Sequence, residues 1–489
     1  MRKSALSVSS RFIRPRPNHH NAQGPAIVKG FVPTPSAVVD LMTSKLFGSR
    51  TVSADSSVLD PGCGNGEFIA GILRWCKTSG SPIPRIVGIE LDPERAATAS
   101  ARFSAVESVT IQCGDFLSSH EGSFDFVIGN PPYVSIGGLS IEERVRYRSA
   151  FVTAQGRFDL YSLFFEQALR LLRPDGRLVF ITPEKYTYVE TARPLRELLA
   201  TRCVEELHYC QEDLFDGYVT YPLITTASGV RSHSRARIVR RDGVRTITVL
   251  PSSSSWMAAI SGFIGTSAAG SPTLRDYALR ISCGVATGAD GVFVIPHDHL
   301  TSALSHFAFP TVSGRQIQHK HDIELPPSYL LAPYDADGSL LPESRLGGLG
   351  VFLRTSNRRR QLEGRTCVVR KPWYAFHDNF PLGDMLRPKL LFKDIAAEPV
   401  FVTDRLGEIV PRHSVYYVVP RNPEDLPPLA RYLGSDDARA WLRAHCQRAA
   451  NGFLRVQSHV LKQLPIPPSV EVELSGRPQV SAHAALLPA

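Results

Sequence analysis

Residues 32–230 alternate short apolar runs of strand length with amphipathic runs of helical length, an alternation that points to a doubly wound α/β sheet. Thr34-Pro35 followed by SAVVDLMTSKLF reads as a capped helix with an apolar face. SSVLD (56–60) is a first strand, the loop DPGCGNG (60–66) follows it, and residues 67–76 read as a helix. PRIVGIEL (84–91), SVTIQCGD (108–115), FDFVIG (124–129) and RLVFITP (177–183) read as further strands. ERAATASARF (94–103), DLYSLFFEQALRLLR (159–173) and PLRELLATR (194–202) read as helices, and ELHYC (206–210) and YPLITTAS (221–228) close the sheet.

A basic, serine-rich stretch, RSHSRARIVRRDG (231–243), marks the expected exit from this domain. Beyond it GVFVIP (291–296), PKLLFKD (388–394), EPVFVTD (398–404) and HSVYYVV (413–419) read as strands, and PPLARYLGSDDARAWLRAHCQ (427–447) as helix. The expected plan is a basic arm over 1–28, a catalytic domain over 29–230, a mixed α+β domain over 231–468 and a loose tail over 469–489. Lys+Arg and Asp+Glu number 24 and 24 in residues 1–230 but 31 and 22 in residues 231–489. The whole positive excess therefore lies in the C-terminal part, as expected of a surface that meets phosphates.

A hydrophobic content of 43% with 21% charged residues excludes a disordered chain. The eight cysteines form no C-x-x-C pair and no cluster at metal-ligand spacing, so reduced thiols and no metal site are expected. No apolar run approaches the roughly 20 residues of a membrane span, and the N-terminus lacks a secretory apolar core, so a cytoplasmic chain is expected.

Chemistry enters at the strand ends. A glycine turn before a helix occurs in many α/β folds for steric reasons alone. Here the form is Gly62-x-Gly64-x-Gly66, and Glu67 stands where a dinucleotide fingerprint has its last glycine, which disfavours a pyrophosphate. Glu90, closing VGIE, is placed to accept ribose hydroxyls, and Asp115, in CGDF, to accept from an adenine amino group. Together these acids suit adenosine without phosphates. Asn130-Pro131-Pro132-Tyr133 then closes FDFVIG: an amide oxygen and a proline-flanked carbonyl can accept both hydrogens of a planar amine, while an aromatic ring holds a flat base.

VLDPGCGNGEF, GIELDP, CGDF, NPPY and RLVFITP, in this order, resemble motifs I, II, III, IV and VI of S-adenosylmethionine-dependent DNA amino-methyltransferases. KGFVPTPSAVVDLM (29–42) is similar to their motif X and FDLYSLFFEQALRLLRPDG (158–176) to motif V. Cofactor motifs first and a large variable domain last resemble the gamma class typified by the TaqI adenine methyltransferase. The resemblance is strong over residues 29–228 and looser in GVATGADGVFVI (284–295), RKPWYAFHD (370–378) and FLRVQSHVLKQLPIP (453–467).

The resemblance implies a Rossmann-like catalytic domain and a C-terminal target-recognition domain. It implies that Thr34 holds the methionine part of S-adenosylmethionine, that Asp60, Gly62 and Gly64 form its loop, and that Glu90 binds the ribose. Asp115 would bind the adenine amino group, with Phe116, Pro132 and Phe164 packed on the ring. The target adenine, rotated out of duplex DNA, would stack on Tyr133 and touch Phe215 in EDLFDG. Arg358, Arg359, Arg370, Lys371 and Trp373 are the candidates for DNA contact, although arginine runs are more often solvated faces and Trp373 could be core.

The expected reaction is adenine-N6 methylation in a restriction-modification or related defence system. The expected partner is double-stranded DNA; the sequence leaves open whether a separate cognate endonuclease exists or the enzyme is solitary, and it does not set the oligomeric state, for which a monomer is favoured. Other planar nitrogens, the glutamine amide of release factors or guanine in ribosomal RNA, are rival acceptors; cytosine-N4 enzymes more often carry Ser at the Asn130 position. Cytosine-C5 chemistry needs a Pro-Cys nucleophile, which the chain lacks. A non-catalytic recognition subunit would tend to lose Asn130 or the cofactor acids.

Overall fold

Strand β1 (Ser57–Pro61) is buried at all five positions, as a strand must be when both faces of its sheet are covered. The computed structural model describes residues 32–48, 50–118, 122–211, 213–215, 221–229, 235–252, 254–261, 271–317, 328–448 and 453–474. The expected basic arm lies outside the described residues. The chain divides into two units, Met1–Ser254 and Ser255–Ala489.

The first unit runs α1 (Ser36–Phe47), β1, α2 (Glu67–Ser79), β2 (Arg85–Glu90), α3 (Pro93–Arg102), β3 (Val109–Cys113), β4 (Phe124–Gly129) and α4 (Ile141–Ala150). It continues through α5 (Leu160–Leu171), β5 (Leu172–Pro183), α6 (Arg193–Ala200), β6 (Cys203–Tyr209), β7 (Pro222–Ser228), β8 (Ala236–Val239) and β9 (Arg245–Thr248). The sheet order is β3-β2-β1-β4-β5-β7-β6-β8-β9. The five strands β3, β2, β1, β4 and β5 are parallel, and β7 enters antiparallel to β5 and β6. The order reverses at β1, between β2 and β4, and the ends of these three strands carry Asp60, Glu90 and Asn130. Open α/β sheets place their ligand crevice at such a switch point.

One face of the sheet packs on α1 and α2 through Val39, Met42, Phe47, Ile69 and Ile72 against Val58, Phe126 and Val179. Each such buried aliphatic or aromatic side chain contributes roughly 1.5–3 kcal/mol relative to exposure. Helix α1 forms where expected, but Pro35 precedes it without any side-chain cap. Thr34 is instead engaged with Asn130.

The expected boundary at 230/231 falls short. Residues 236–239 and 245–248 form a hairpin whose β8 pairs parallel to β6, extending the sheet of the first unit. The turn carries Asp242-Gly243, with Gly243 at φ +81°, the chemistry a tight hairpin requires.

In the second unit, Ala278–Cys283, Val415–Pro420, Lys389–Lys393 and Phe401–Asp404 form a four-stranded antiparallel sheet in that order. GVFVIP is part helix, Asp290–Phe293, and part strand, Val294–Pro296. The single helix expected over 427–447 is two, Leu426–Leu433 and Asp436–His445, separated at Gly434, with Ser435 accepting from the Ala438 N–H. The tail begins later than expected: Pro468–Glu471 is a helical turn and Leu474 is buried in the core of this unit, while 475–489 lie outside the described residues.

Candidate functional site

The glycine loop is folded back on its neighbour strand. The Gly62 and Cys63 N–H groups both donate to the Ile89 carbonyl, at 2.7 and 2.9 Å. Gly62, Gly64 and Gly66 have φ of +93°, +54° and +84°, conformations that side chains rarely adopt. A Cβ on Gly66 would lie 2.3 Å from the Phe103 ring, and one on Gly88 of β2 would lie 2.9 Å from the Cys63 sulfur. The loop therefore tolerates glycine alone at its tightest points and opens directly into α2.

A cavity of about 590 Å³ lies over this loop, within the size range of small-molecule sites. Thr34, Gly62, Glu90, Asp115, Phe116, Asn130, Pro132 and Phe164 line it, so eight of the residues selected from sequence converge on one space. The rings of Phe116 and Phe164 stand 5.1 Å apart at 46°. Asp60, Gly64, Pro131, Tyr133 and Phe215 are not among the lining residues.

Glu90 is buried, and backbone donors orient its carboxylate: Gly64 N–H donates to one oxygen at 2.8 Å and Asp92 N–H to the other at 2.9 Å. An ionised carboxylate has about four acceptor sites, so further ones remain for a ligand hydroxyl. Asp115 is held in the same way, accepting from Leu117 N–H at 2.9 Å and from Arg146 Nη2 at 3.0 Å.

Asp60 is fully buried, and neither of its oxygens has a partner among the described residues. Burial, and then the Glu90 charge beside it, push its carboxyl well above the usual range. Burying a carboxylate without compensation is expensive, so the group takes up a proton unless a cation arrives. Cys63 lines the cavity with its thiol pushed up by burial and by both carboxylates.

Asn130 is the most informative side chain. Its Nδ2 donates to the Val32 carbonyl at 3.1 Å and to Thr34 Oγ1 at 3.1 Å. A carbonyl can only accept, so the amide nitrogen faces Val32 and the amide oxygen faces away. That Oδ1 is buried with no donor among the described residues. The adjoining loop is fixed by backbone bonds, Leu160 N–H to the Val134 carbonyl at 2.8 Å and Ile136 N–H to the Phe158 carbonyl at 3.1 Å. Tyr133, half-buried, has its hydroxyl buried without a partner among the described residues; burial, then the nearby Cys210, push its phenol up.

Phe215 takes a different place from the one expected. It is 2% exposed and packs in the core with Val38, Cys210 and Ile224 on the α1 side of the sheet. A ring so enclosed offers no face to a base. Conversely, Asn65, Arg95, Leu139, Glu143 and Tyr147 line the cavity without having been found from sequence. The last three come from the segment after NPPY, where the signal was a capping box at Ser140 and Glu143 opening α4.

The C-terminal candidates are mostly committed within their own unit. Arg358 lies over Phe352 at 3.7 Å and Arg359 over Trp373 at 4.2 Å. Arg359 also pairs with Glu363 at 2.8 Å, and Trp373 Nε1 donates to Glu343 at 3.2 Å. Lys371 donates to the Phe376 and His377 carbonyls. Arg370 is exposed with no carboxylate partner among the described residues.

Known proteins share this sequence pattern and fold. Residues 85–215 match the family model described as Eco57I restriction-modification methylase. Type II methyltransferase M.PaeR7I of Pseudomonas aeruginosa is 27% identical over 508 residues, covering 91% of this chain and 87% of its own. Type II methyltransferase M.XhoI of Xanthomonas vasicola is 27% identical over 383 residues, 71% of this chain and 68% of its own. The solved structure of the Type IIL restriction-modification enzyme MmeI in complex with DNA has a TM-score of 0.60 at 13% identity. That likeness covers 88% of this chain and 63% of the MmeI chain, so the present chain spans less than two thirds of it. The chain is thus similar over residues 85–215 to the Eco57I restriction-modification methylases and over most of its length to Type II methyltransferases, and it shares the fold of the MmeI structure.

Proposed function

We propose that this protein methylates N6 of adenine in a short duplex DNA sequence, the observation that carries the reading being the buried, donor-less Oδ1 of Asn130. The cavity's chemistry fits the cofactor. Glu90 lines the cavity, Asp60 lies buried nearby and would ionise beside a cationic ligand, and Arg95, the one basic residue in the lining, is paired with Asp92 at 3.3 Å. A ligand carrying positive charge and no phosphate suits this set; a pyrophosphate does not. Glu90 would hold the ribose, Asp115 the adenine amino group, Phe116 and Phe164 the ring, and Asp60 would supply negative charge beneath the loop.

S-adenosylmethionine, when bound, supplies an electrophilic methyl carbon. The chain's own task is to make a poor nucleophile attack it. An adenine amine has its lone pair delocalised into the ring. Asn130 Oδ1 and the Pro131 carbonyl, which accepts no hydrogen bond from the described backbone, would each take one amine hydrogen. The nitrogen then pyramidalises and its lone pair points out of the ring plane. Acceptors fixed before the reaction stabilise positive charge as it develops, and alignment of the two reactants adds to this. Tyr133 would support the flipped base by stacking.

The second unit would carry DNA affinity and target choice, and a cognate endonuclease would be a separate partner. The test is incubation of the protein with labelled S-adenosylmethionine and varied duplexes, followed by nucleoside analysis. N6-methyladenine in one short sequence is expected; N4-methylcytosine, or label in protein or RNA alone, would overturn the assignment.

A further inference from the structure

We propose that a basic cleft in the second unit, separate from the arginine clusters noted in the sequence, seats the phosphodiester backbone of duplex DNA; this rests on the DNA-methylating reading above. The cleft, of about 310 Å³, draws four cations from separate stretches of chain: Arg275, Arg280, Arg421 and Lys462.

Backbone contacts clamp these stretches together. Arg275 N–H donates to the Lys462 carbonyl at 3.3 Å and Arg421 N–H to the Tyr277 carbonyl at 2.8 Å. Arg421 Nε donates to the Asp276 carbonyl at 2.9 Å. Arg280 stands on Ala278–Cys283, an edge strand whose register shifts between Ala278 and Arg280. Such bulges re-aim side chains at sheet edges.

Positive charge gathers here with little acid to neutralise it. Of the four, only Arg280 has a carboxylate partner among the described residues, Asp384 at 2.8 Å. Two acids near these stretches, Asp276 and Glu471, form no ion pair with Arg275, Arg421 or Lys462 among the described residues: Asp276 accepts from the Thr273 N–H and hydroxyl at 2.8 and 3.0 Å, and Glu471 from the Tyr277 hydroxyl at 3.2 Å. Arg275 and Arg421 are exposed and Lys462 is half-buried, so their charges are reachable from solvent. A cation on an edge strand also deters edge-to-edge pairing, which accounts for Arg280. It does not account for Arg275, Arg421 and Lys462, which lie outside that strand. A row of phosphates offsets the mutual repulsion of such a group. Phosphate contacts position a protein without reading bases, so the cleft sets affinity and register while target choice lies elsewhere.

The test measures affinity of the full-length protein against salt, on duplexes with and without the target sequence. Arg275→Ala/Lys462→Ala is expected to reduce the slope of log affinity against log salt by about two, at roughly 0.9 per phosphate contact. Both duplexes should weaken by the same factor, and KM for DNA should rise while kcat holds. Arg275→Lys/Lys462→Arg should restore the slope. Arg421→Gln, which keeps its backbone clamp, gives an independent arm with an expected reduction of about one. An unchanged slope in either neutralised variant, or displacement by millimolar inorganic phosphate with no effect of these substitutions on duplex binding, overturns the cleft. Absence of salt-dependent DNA binding by the unaltered protein is a different failure, that of the DNA reading itself.

Discussion

Asn130 and Thr34 are 96 positions apart in sequence, yet the Asn130 amide nitrogen donates to the Thr34 hydroxyl at 3.1 Å. That bond, with the one to Val32, decides which end of the carboxamide is left to accept.

Asn130→Ala is therefore expected to lower kcat by about 10²–10³-fold, the scale of losing one preorganised polar group at a reacting centre. Cofactor affinity should stay within about threefold, since the loss falls on the transition state. Asn130→Asp should lose activity similarly, because it sets an oxygen against the Val32 carbonyl. Calorimetric cofactor binding beside single-turnover methylation separates the two effects.

Asp60 predicts a pH effect with a definite sign. Its carboxyl is raised in the folded protein, so the folded state binds a proton that the unfolded state releases near the ordinary value. The contribution to stability is present below that ordinary value and is lost as pH rises through the raised one. A cationic ligand favours the ionised form, so cofactor binding should release protons within that window, and less above it. Calorimetry in buffers of differing ionisation enthalpy reads this release; Asp60→Asn should abolish it.

Gly66→Ala combines a strained φ of +84° with a Cβ placed 2.3 Å from Phe103. A loss of about 1–3 kcal/mol is expected, seen as a lower Tm together with weakened cofactor binding.

Phe164→Ala removes one wall of the cavity. The expected result is an increase in cofactor Kd of about tenfold, near 1.4 kcal/mol, with kcat at saturation changed far less. An equal fall in kcat would mean that the ring orients reacting groups instead.

Arg359→Ala and Arg370→Ala should separate structure from binding. Arg359 is tied to Glu363 and Trp373, so its loss should lower Tm and leave the DNA salt slope unchanged. Arg370, exposed, should show the reverse if it meets a phosphate.

What could be read from the sequence was whatever local chemistry fixes. The strand-loop-helix alternation located β1 to β7 within a few residues; burial on both faces makes β1 and β7 continuous apolar runs, while the largely exposed edge strand β3 was marked by its β-branched residues. The glycines of 62–66 and the strand-end acids were legible because backbone conformation and charge leave direct traces at each position. The burial of Phe215 was not legible because enclosure depends on partners such as Val38 and Ile224, distant in sequence. The basic stretch 231–243 reads as the exit from the domain because its arginines mask the Asp-Gly turn of the β8–β9 hairpin. Arg358 and Arg359 looked like free charge because their aromatic partners are set by folding, and the cleft around Arg275 left no trace, since its four cations are scattered over nearly two hundred positions.

The carboxamide's tether to Val32 and Thr34 is a matter of adjacency in space and is indifferent to which segment is translated first. A rearranged gene that spliced residues 32–47 onto the opposite end of the catalytic unit, through a connector long enough to reach, would rebuild the same acceptor. Motif order along such polypeptides can thus drift while the reacting geometry stays put.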